Sequence, residues 1–180
     1  MTDYTTLATI RSFGSFVSTG DDALLSTMIT AASGMIDNYC GRVFATASPT
    51  DRTFYKDDGR FAGDTLHLDE DLAEAAVTIS DDPTVRYLPS NSFPAYAIVL
   101  TDGSWADPTV VNGYWGYTKT TAPDDIQIAC LRLTKWLYEL RETTQGTAVV
   151  VTPDGQVLLP QGLPDDVKSI LAPYRKVVLA

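Results

Sequence analysis

The chain has 180 residues, of which 44% are hydrophobic and 20% charged, so it is neither a disordered tract nor a low-complexity linker. A chain of this length buries about 70% of its unfolded surface, so a core needs no disulfide or metal to hold it. Thirteen Lys and Arg against 23 Asp and Glu leave a net charge of −10, with Arg175-Lys176 the one adjacent basic pair. Duplex nucleic acid is gripped by neutralising phosphates with Lys and Arg, which excludes tight binding but not an acidic wall that DNA slides past.

The first predicted element is a short helix over 5–13. Thr5 or Thr6 caps it, Leu7, Ile10 and Phe13 share a side, and Gly14 ends it. A longer helix follows over 21–40, with Leu25, Met28, Ile29, Ala32, Met35, Ile36 and Tyr39 at helical spacing. Asp21 and Asp22 suit its positive end, Gly41 suits its C-cap, and Arg42 its negative end. Ala31, Ala32, Ser33 and Gly34 thin one stretch of it, so another helix can approach closely.

Residues 50–118 change character. Candidate strands are Arg52–Lys56, Thr65–Leu68, Ala75–Ser80, Thr84–Leu88, Tyr96–Leu100 and Thr109–Tyr114, separated by the turn chemistry of "KDDGR", "SDDPT", "PSNSFP" and "TDGS". This reads as an inserted, mostly antiparallel β section. "PDDIQIACLRLTKWLYELRE" then gives a helix over 123–142, with Ile126, Ala129, Cys130, Leu133, Trp136, Leu137 and Leu140 in its apolar stripe. Pro153-Asp154-Gly155 between two β-prone runs predicts a hairpin over 147–160. A last helix over 164–172 breaks near Pro173, and an extended tail follows. The expected architecture is α+β in a single domain, 1–180: a mainly α-helical core with the β section inserted.

Cys40 and Cys130 both fall on apolar helix faces. They read as buried hydrophobes in a reducing compartment, with a disulfide between the two helices as the other possibility. "MTDYTTLATIRSF" lacks a basic, then apolar, leader and no run approaches a membrane span, so a cytosolic chain is expected.

Reactive chemistry finds little to work with. His67 is the one histidine, and no nucleophile elbow, C-x-x-C pair or glycine-rich phosphate cradle exists. Asp69, Glu70, Asp71 and Glu74 could serve acid–base chemistry or a hard cation, but a solvated turn or short helical start explains them as well. No metal, cofactor or catalytic residue is expected.

"VVNGYWGYTK" holds three rings between two glycines. Rings that stack on bases come with a basic groove, which is missing. A carbohydrate-binding module with Tyr114, Trp115 and Tyr117 as an exposed platform remains the alternative. The structural reading places Tyr114, Trp115, Tyr117 and Trp136 at a joint where the sheet meets the 123–142 helix, Gly113 and Gly116 allowing close approach.

The order of these segments resembles the head–tail connector (adaptor) proteins of long-tailed bacteriophages and related gene-transfer particles. The similar stretches are "DDALLSTMITAASGMIDNYCGRVF", "RTFYKDDGR" with "LHLDEDLAEAAVTI", "VRYLPSNSFPAYAIVL", "VNGYWGYTKTTAPDDIQIACLRLTKWLYELRE" and "LPDDVKSILAPYRKVVLA". The resemblance implies a non-enzymatic virion protein of the particle neck, assembled in the host cytoplasm. It implies a homo-oligomeric ring, usually dodecameric, beneath the portal protein and above a stopper or tail-completion protein, with no membrane partner. Relatives touch the portal with their C-terminal segment, which maps here onto Pro173, Tyr174, Arg175, Lys176, Val177, Val178, Leu179 and Ala180. Extended, those residues reach about 26 Å. A DNA conduit also fits the acidic balance, and Asp57, Asp58, Asp69, Glu70 and Asp71 are the candidates for its lumen.

Overall fold

Leu25, Ile29, Ala32, Ser33, Ile36 and Cys40 recur at helical spacing, and α2 (Asp22–Cys40) buries that face. A computed structural model of the chain describes residues 2–15, 19–90, 92–144, 150–151, 157–158 and 162–176. Its residues fall into two compact units, one of residues 1–41 with 124–180 and one of residues 42–123.

The first unit holds α1 (Leu7–Gly14), α2, α3 (Asp124–Thr144) and α4 (Asp165–Leu171). Thr6 caps α1 by accepting the Thr9 N–H at 3.2 Å. Ile10, Ile29 and Leu131 form a cluster shared by the first three helices. The thin stretch of α2 is where α3 comes close: Ser33 Oγ lies 3.6 Å from Cys130 Sγ. That hydroxyl also accepts the Tyr4 N–H at 3.1 Å and donates to the Ile29 carbonyl at 2.9 Å, so a polar group is buried with its partners supplied. Cys40 and Cys130 are free thiols, both buried. Among the described residues no helix is long and apolar enough to cross a membrane. In the predicted hairpin the paired backbone is β8 (Val150–Val151) against β9 (Val157–Leu158), antiparallel; the rest of 147–160 lies outside the described residues.

The second unit is built from β1 (Thr50–Phe54), β2 (Phe61–Ala62), β3 (Thr65–Leu72), β4 (Thr78–Ile79), β5 (Val85–Leu88), β6 (Ala95–Leu100) and β7 (Thr109–Gly113). They make a three-stranded sheet in the order β1-β7-β4 and a four-stranded sheet in the order β2-β3-β6-β5, every pair antiparallel. Phe54, Leu66, Leu68, Leu72, Ile98, Leu100, Trp105, Val111 and Trp115 pack into a core belonging to this unit.

This corrects the expectation of a mainly helical core. The helices share the chain with two antiparallel sheets that bury a core of their own. The sheets are under-read in the sequence because their period-2 signal is broken. Two strands have only two residues. Ala97 and Val99 are buried on the face of β6 opposite Ile98 and Leu100, so β6 reads as a plain apolar run. β3 carries an irregularity between His67 and Leu72, and this bulge puts Asp71 and Leu72, neighbours in sequence, both inside.

Candidate assembly surfaces

The segment after β7 is a stitch between three parts of the β unit. At Gly113 a Cβ would come within 2.5 Å of Leu72 Cδ1, so only bare backbone lets that leucine fill the core there. Beyond it the chain leaves the ladder and finds other partners. The Ala73 N–H donates to the Tyr114 carbonyl (2.9 Å) and the Gly116 N–H to that of Asp71 (2.7 Å). The Tyr117 and Thr118 N–H groups donate to the carbonyls of Val43 (2.8 Å) and Phe44 (3.1 Å). Residues 43–44, 71–73 and 114–118 are thereby tied by backbone alone.

The three rings of this segment take different places. Trp115 is 4% exposed. Its indole N–H donates to the Thr50 carbonyl at 2.8 Å, Phe54 lies 6.1 Å away between ring centroids, and the Arg52 guanidinium lies 4.7 Å from the ring. Tyr117 tilts against Phe44 at 5.8 Å, with the Arg42 guanidinium 5.5 Å from its ring. Tyr114 has the Lys119 ammonium 4.4 Å from its ring centre, and that ammonium also pairs with Glu74 at 2.9 Å. The hydrogen bond to Glu74 is the first cause of a raised Lys119 pKa. The buried indole offers no free face on which a sugar could stack. Trp136, assigned with these three to a sheet–helix joint, belongs to the helical unit. There it is half-buried beside a cleft of about 370 Å³ lined also by Phe13, Arg132, Lys135, Pro164 and Val167.

The five lumen candidates divide by their charge partners. Asp57 and Asp58 stand exposed on a 3₁₀ turn, Lys56–Asp58, where the Asp58 carboxylate accepts the Tyr55 N–H at 3.1 Å. Asp69 and Glu70 are forked onto one guanidinium, Arg52 Nη1 to Asp69 at 2.8 Å and Nη2 to Glu70 at 2.7 Å. Asp71 is 7% exposed and holds Arg42 at 2.8 Å. Its charge is buried and paired, the condition under which a carboxylate is tolerated inside a protein. Sequence reasoning missed both arginines as partners. Arg42 and Asp71 lie 29 positions apart, and no local pattern signals such a pairing. His67 is exposed on β3, opposite Ala97. Among the described residues no group of three or more His, Cys, Asp or Glu side chains could hold a metal ion.

The chain after α4 is anchored where α2 ends. A 3₁₀ turn, Ala172–Tyr174, leads to Arg175 and Lys176. The Tyr174 hydroxyl donates to Asp125 at 3.1 Å. The Arg175 guanidinium lies 5.1 Å from the Tyr39 ring. The Lys176 N–H donates to the Cys40 carbonyl at 2.8 Å. Pro173–Lys176, the first half of the expected portal-docking tail, therefore sit on their own unit; Val177–Ala180 lie outside the described residues.

No family model matches the sequence, and no curated relative matches it significantly. Solved structures do resemble it. A chain from the neck of the empty gene transfer agent (GTA) particle, computed with C6 symmetry, aligns with a TM-score of 0.62 and 15% identity over 98% of this chain and 92% of that one. A chain from the neck of the native GTA particle, computed with C12 symmetry, aligns with a TM-score of 0.54 and 18% identity over 97% of this chain and 90% of that one. At such identities the likeness is one of fold, and it runs through both units of the molecule.

Proposed function

We propose that this chain is a non-enzymatic structural subunit of a particle neck: an adaptor that closes into a ring between the portal and a stopper or tail-completion protein and leaves a channel for DNA. The observation that carries the reading is the near end-to-end likeness of fold to neck chains of GTA particles. A likeness over one module would support only a shared building block. A likeness over 98% of the chain supports a shared subunit. The C6 and C12 symmetries of those necks support a ring, most simply of twelve copies, because heterologous contacts that close by rotation generate rings.

The charge distribution fits a channel. The β unit carries twelve acidic side chains against six basic ones. Carboxylates on a lumen wall repel passing duplex over about 8–10 Å at ordinary salt. Asp57 and Asp58, exposed and without a cation on either in the ion pairs above, suit that role best; Asp71, spent on Arg42, suits it least. The chain from Pro173 carries the portal contact in this reading, and assembly takes place in the host cytoplasm. The carbohydrate-module alternative loses its platform with Trp115 inside the core.

Native mass spectrometry of the 19.5 kDa chain, alone and with a purified portal ring, tests the proposal. The expected result is a closed ring of about twelve copies that appears or grows on portal. A chain that stays monomeric and unbound at micromolar portal would overturn it.

A further inference from the structure

We infer that residues 2–6 form a strap over the seam between α2 and α3, which opens at its Tyr4 contacts while the helices stay packed, so that Cys130, unlike Cys40, is open to thiol reagents in the folded protein.

Residues 2–6 precede α1 without a helix or strand of their own, and among them Tyr4 alone is buried, at 4% exposure. That residue grips two successive turns of α2. Its N–H donates to Ser33 Oγ at 3.1 Å, and its hydroxyl donates to the Asp37 carboxylate. Acceptors spaced in this way stand on one helix face, one above the other. Beneath the grip the seam is polar. Ser33, Cys130 and Thr134 are each fully buried, and Ser33 Oγ lies 3.6 Å from Cys130 Sγ. The strap reaches the thiol itself. Burial is the first cause of the raised Cys130 pKa, the Asp3 carboxylate raises it further, and a bond with the Tyr4 backbone, like those with Ser33 and Thr134, works against the rise.

Local opening is least costly where few buried groups leave the interior, and lifting the strap withdraws one, a phenol with a polar tip. Water then meets two hydroxyls and a thiol, which it can hydrogen-bond, so the uncovered floor escapes the cost of wetting an apolar one. The cluster of Ile10, Ile29 and Leu131 holds the first three helices together without Tyr4, so their packing outlasts the opening. Cys40 is the contrasting case. It is as deeply buried as Cys130, but its Sγ lies 4.0 Å from the Leu171 carbonyl at the end of α4. Its exposure requires α2 and α4 to part.

The test pulses the full chain with N-ethylmaleimide at one fixed pH and reads alkylation of Cys130 and Cys40 separately by peptide mass spectrometry, across urea concentrations well below the unfolding midpoint. The same pulse is given to Tyr4→Phe, which removes the bond to Asp37 and keeps the ring, with circular dichroism to confirm that the variant folds. Cys130 is expected to react about tenfold faster than Cys40 or more. Its rate should stay nearly flat in urea, because local opening exposes little surface. Tyr4→Phe is expected to raise the Cys130 rate about tenfold and to leave that of Cys40 unchanged. Equal rates at the two thiols, both climbing with urea as global unfolding does, would overturn the strap. So would a Cys130 rate that Tyr4→Phe leaves unmoved. The comparison of the two thiols uses the unaltered chain, so it decides the matter even if the variant does not fold.

Discussion

In the helical unit a buried polar contact between α2 and α3 joins Ser33 to Cys130, two small side chains on facing stripes. In the β unit the comparable buried contact is Asp71 to Arg42, a charge pair beside a backbone stitch. The first arrangement depends on what is absent, bulk; the second on what must be present, a particular partner. Helix packing follows from which residues recur every three or four positions. The sheets depend on pairings such as Asp51 with Asn112 and Leu66 with Ile98, whose partners no local period identifies. The two units should therefore fail in different ways, and separately.

Trp115→Ala is the strongest way to break that expectation. It removes the indole from the β core together with its bond to Thr50 and its stack under Arg52. Loss of a buried aromatic costs about 3–5 kcal/mol. Hydrogen exchange should show the amides of Ala73, Gly116 and Tyr117 losing protection while those of α2 and α3 keep theirs. An equal loss in both units would erase the contrast. Asp71→Ala comes next, at about 3 kcal/mol, because it leaves Arg42 without its carboxylate. Arg42 is 19% exposed, which lets water share the burden. Adding Arg42→Ala should then recover part of the loss in a double-mutant cycle read by urea unfolding; strictly additive losses would mean the pair is not coupled. In the helical unit the damaging change is the opposite one. Ser33→Leu puts bulk where α2 faces Cys130 of α3, and overpacking of this kind costs about 1–3 kcal/mol. Ser33→Ala, which adds no bulk, should cost less in the same unfolding assay.

How much could be read from the sequence follows the same division. The faces of α2 and α3 were legible from Leu25, Ile29 and Ile36 and from Ile126, Cys130 and Leu133, since helical neighbours are four positions apart. The placement of both cysteines inside followed from those stripes. "LDEDL" was not legible. Its carboxylates read as a turn, yet β3 runs through them to Leu72, because the bulge turns Asp71 inward and Arg42 waits there for it. The aromatic segment carries no local sign of its partners: Phe54 and Arg52, which lie against the Trp115 ring, come from β1 in the same unit. The tail residues read as one extended arm from Pro173. A bond from Lys176 to the Cys40 carbonyl has no sequence signal, since any residue but proline carries the same N–H.

The gentlest probe of the contrast is alkaline pH. Burial raises the Cys130 thiol pKa from its ordinary 9.0, and the smaller lowering by hydrogen bonds with Ser33 and Thr134 does not cancel it. The unfolded thiol therefore gives up its proton first as pH rises. Stability from this group is fully present below about pH 9 and drains away as pH climbs toward the raised folded value. In the β unit Tyr87 is likewise raised from 10.0 by desolvation, opposed by the Ala76 N–H that donates to its oxygen at 3.0 Å. The sign is the same, but its window opens about one pH unit later. Urea midpoints taken from about pH 8 to about pH 10.5 should fall in two stages. Cys130→Ala should flatten the first and Tyr87→Phe the second. A first stage that survives in Cys130→Ala would mean that some other group, and not the thiol between α2 and α3, sets the alkaline limit of the helical unit.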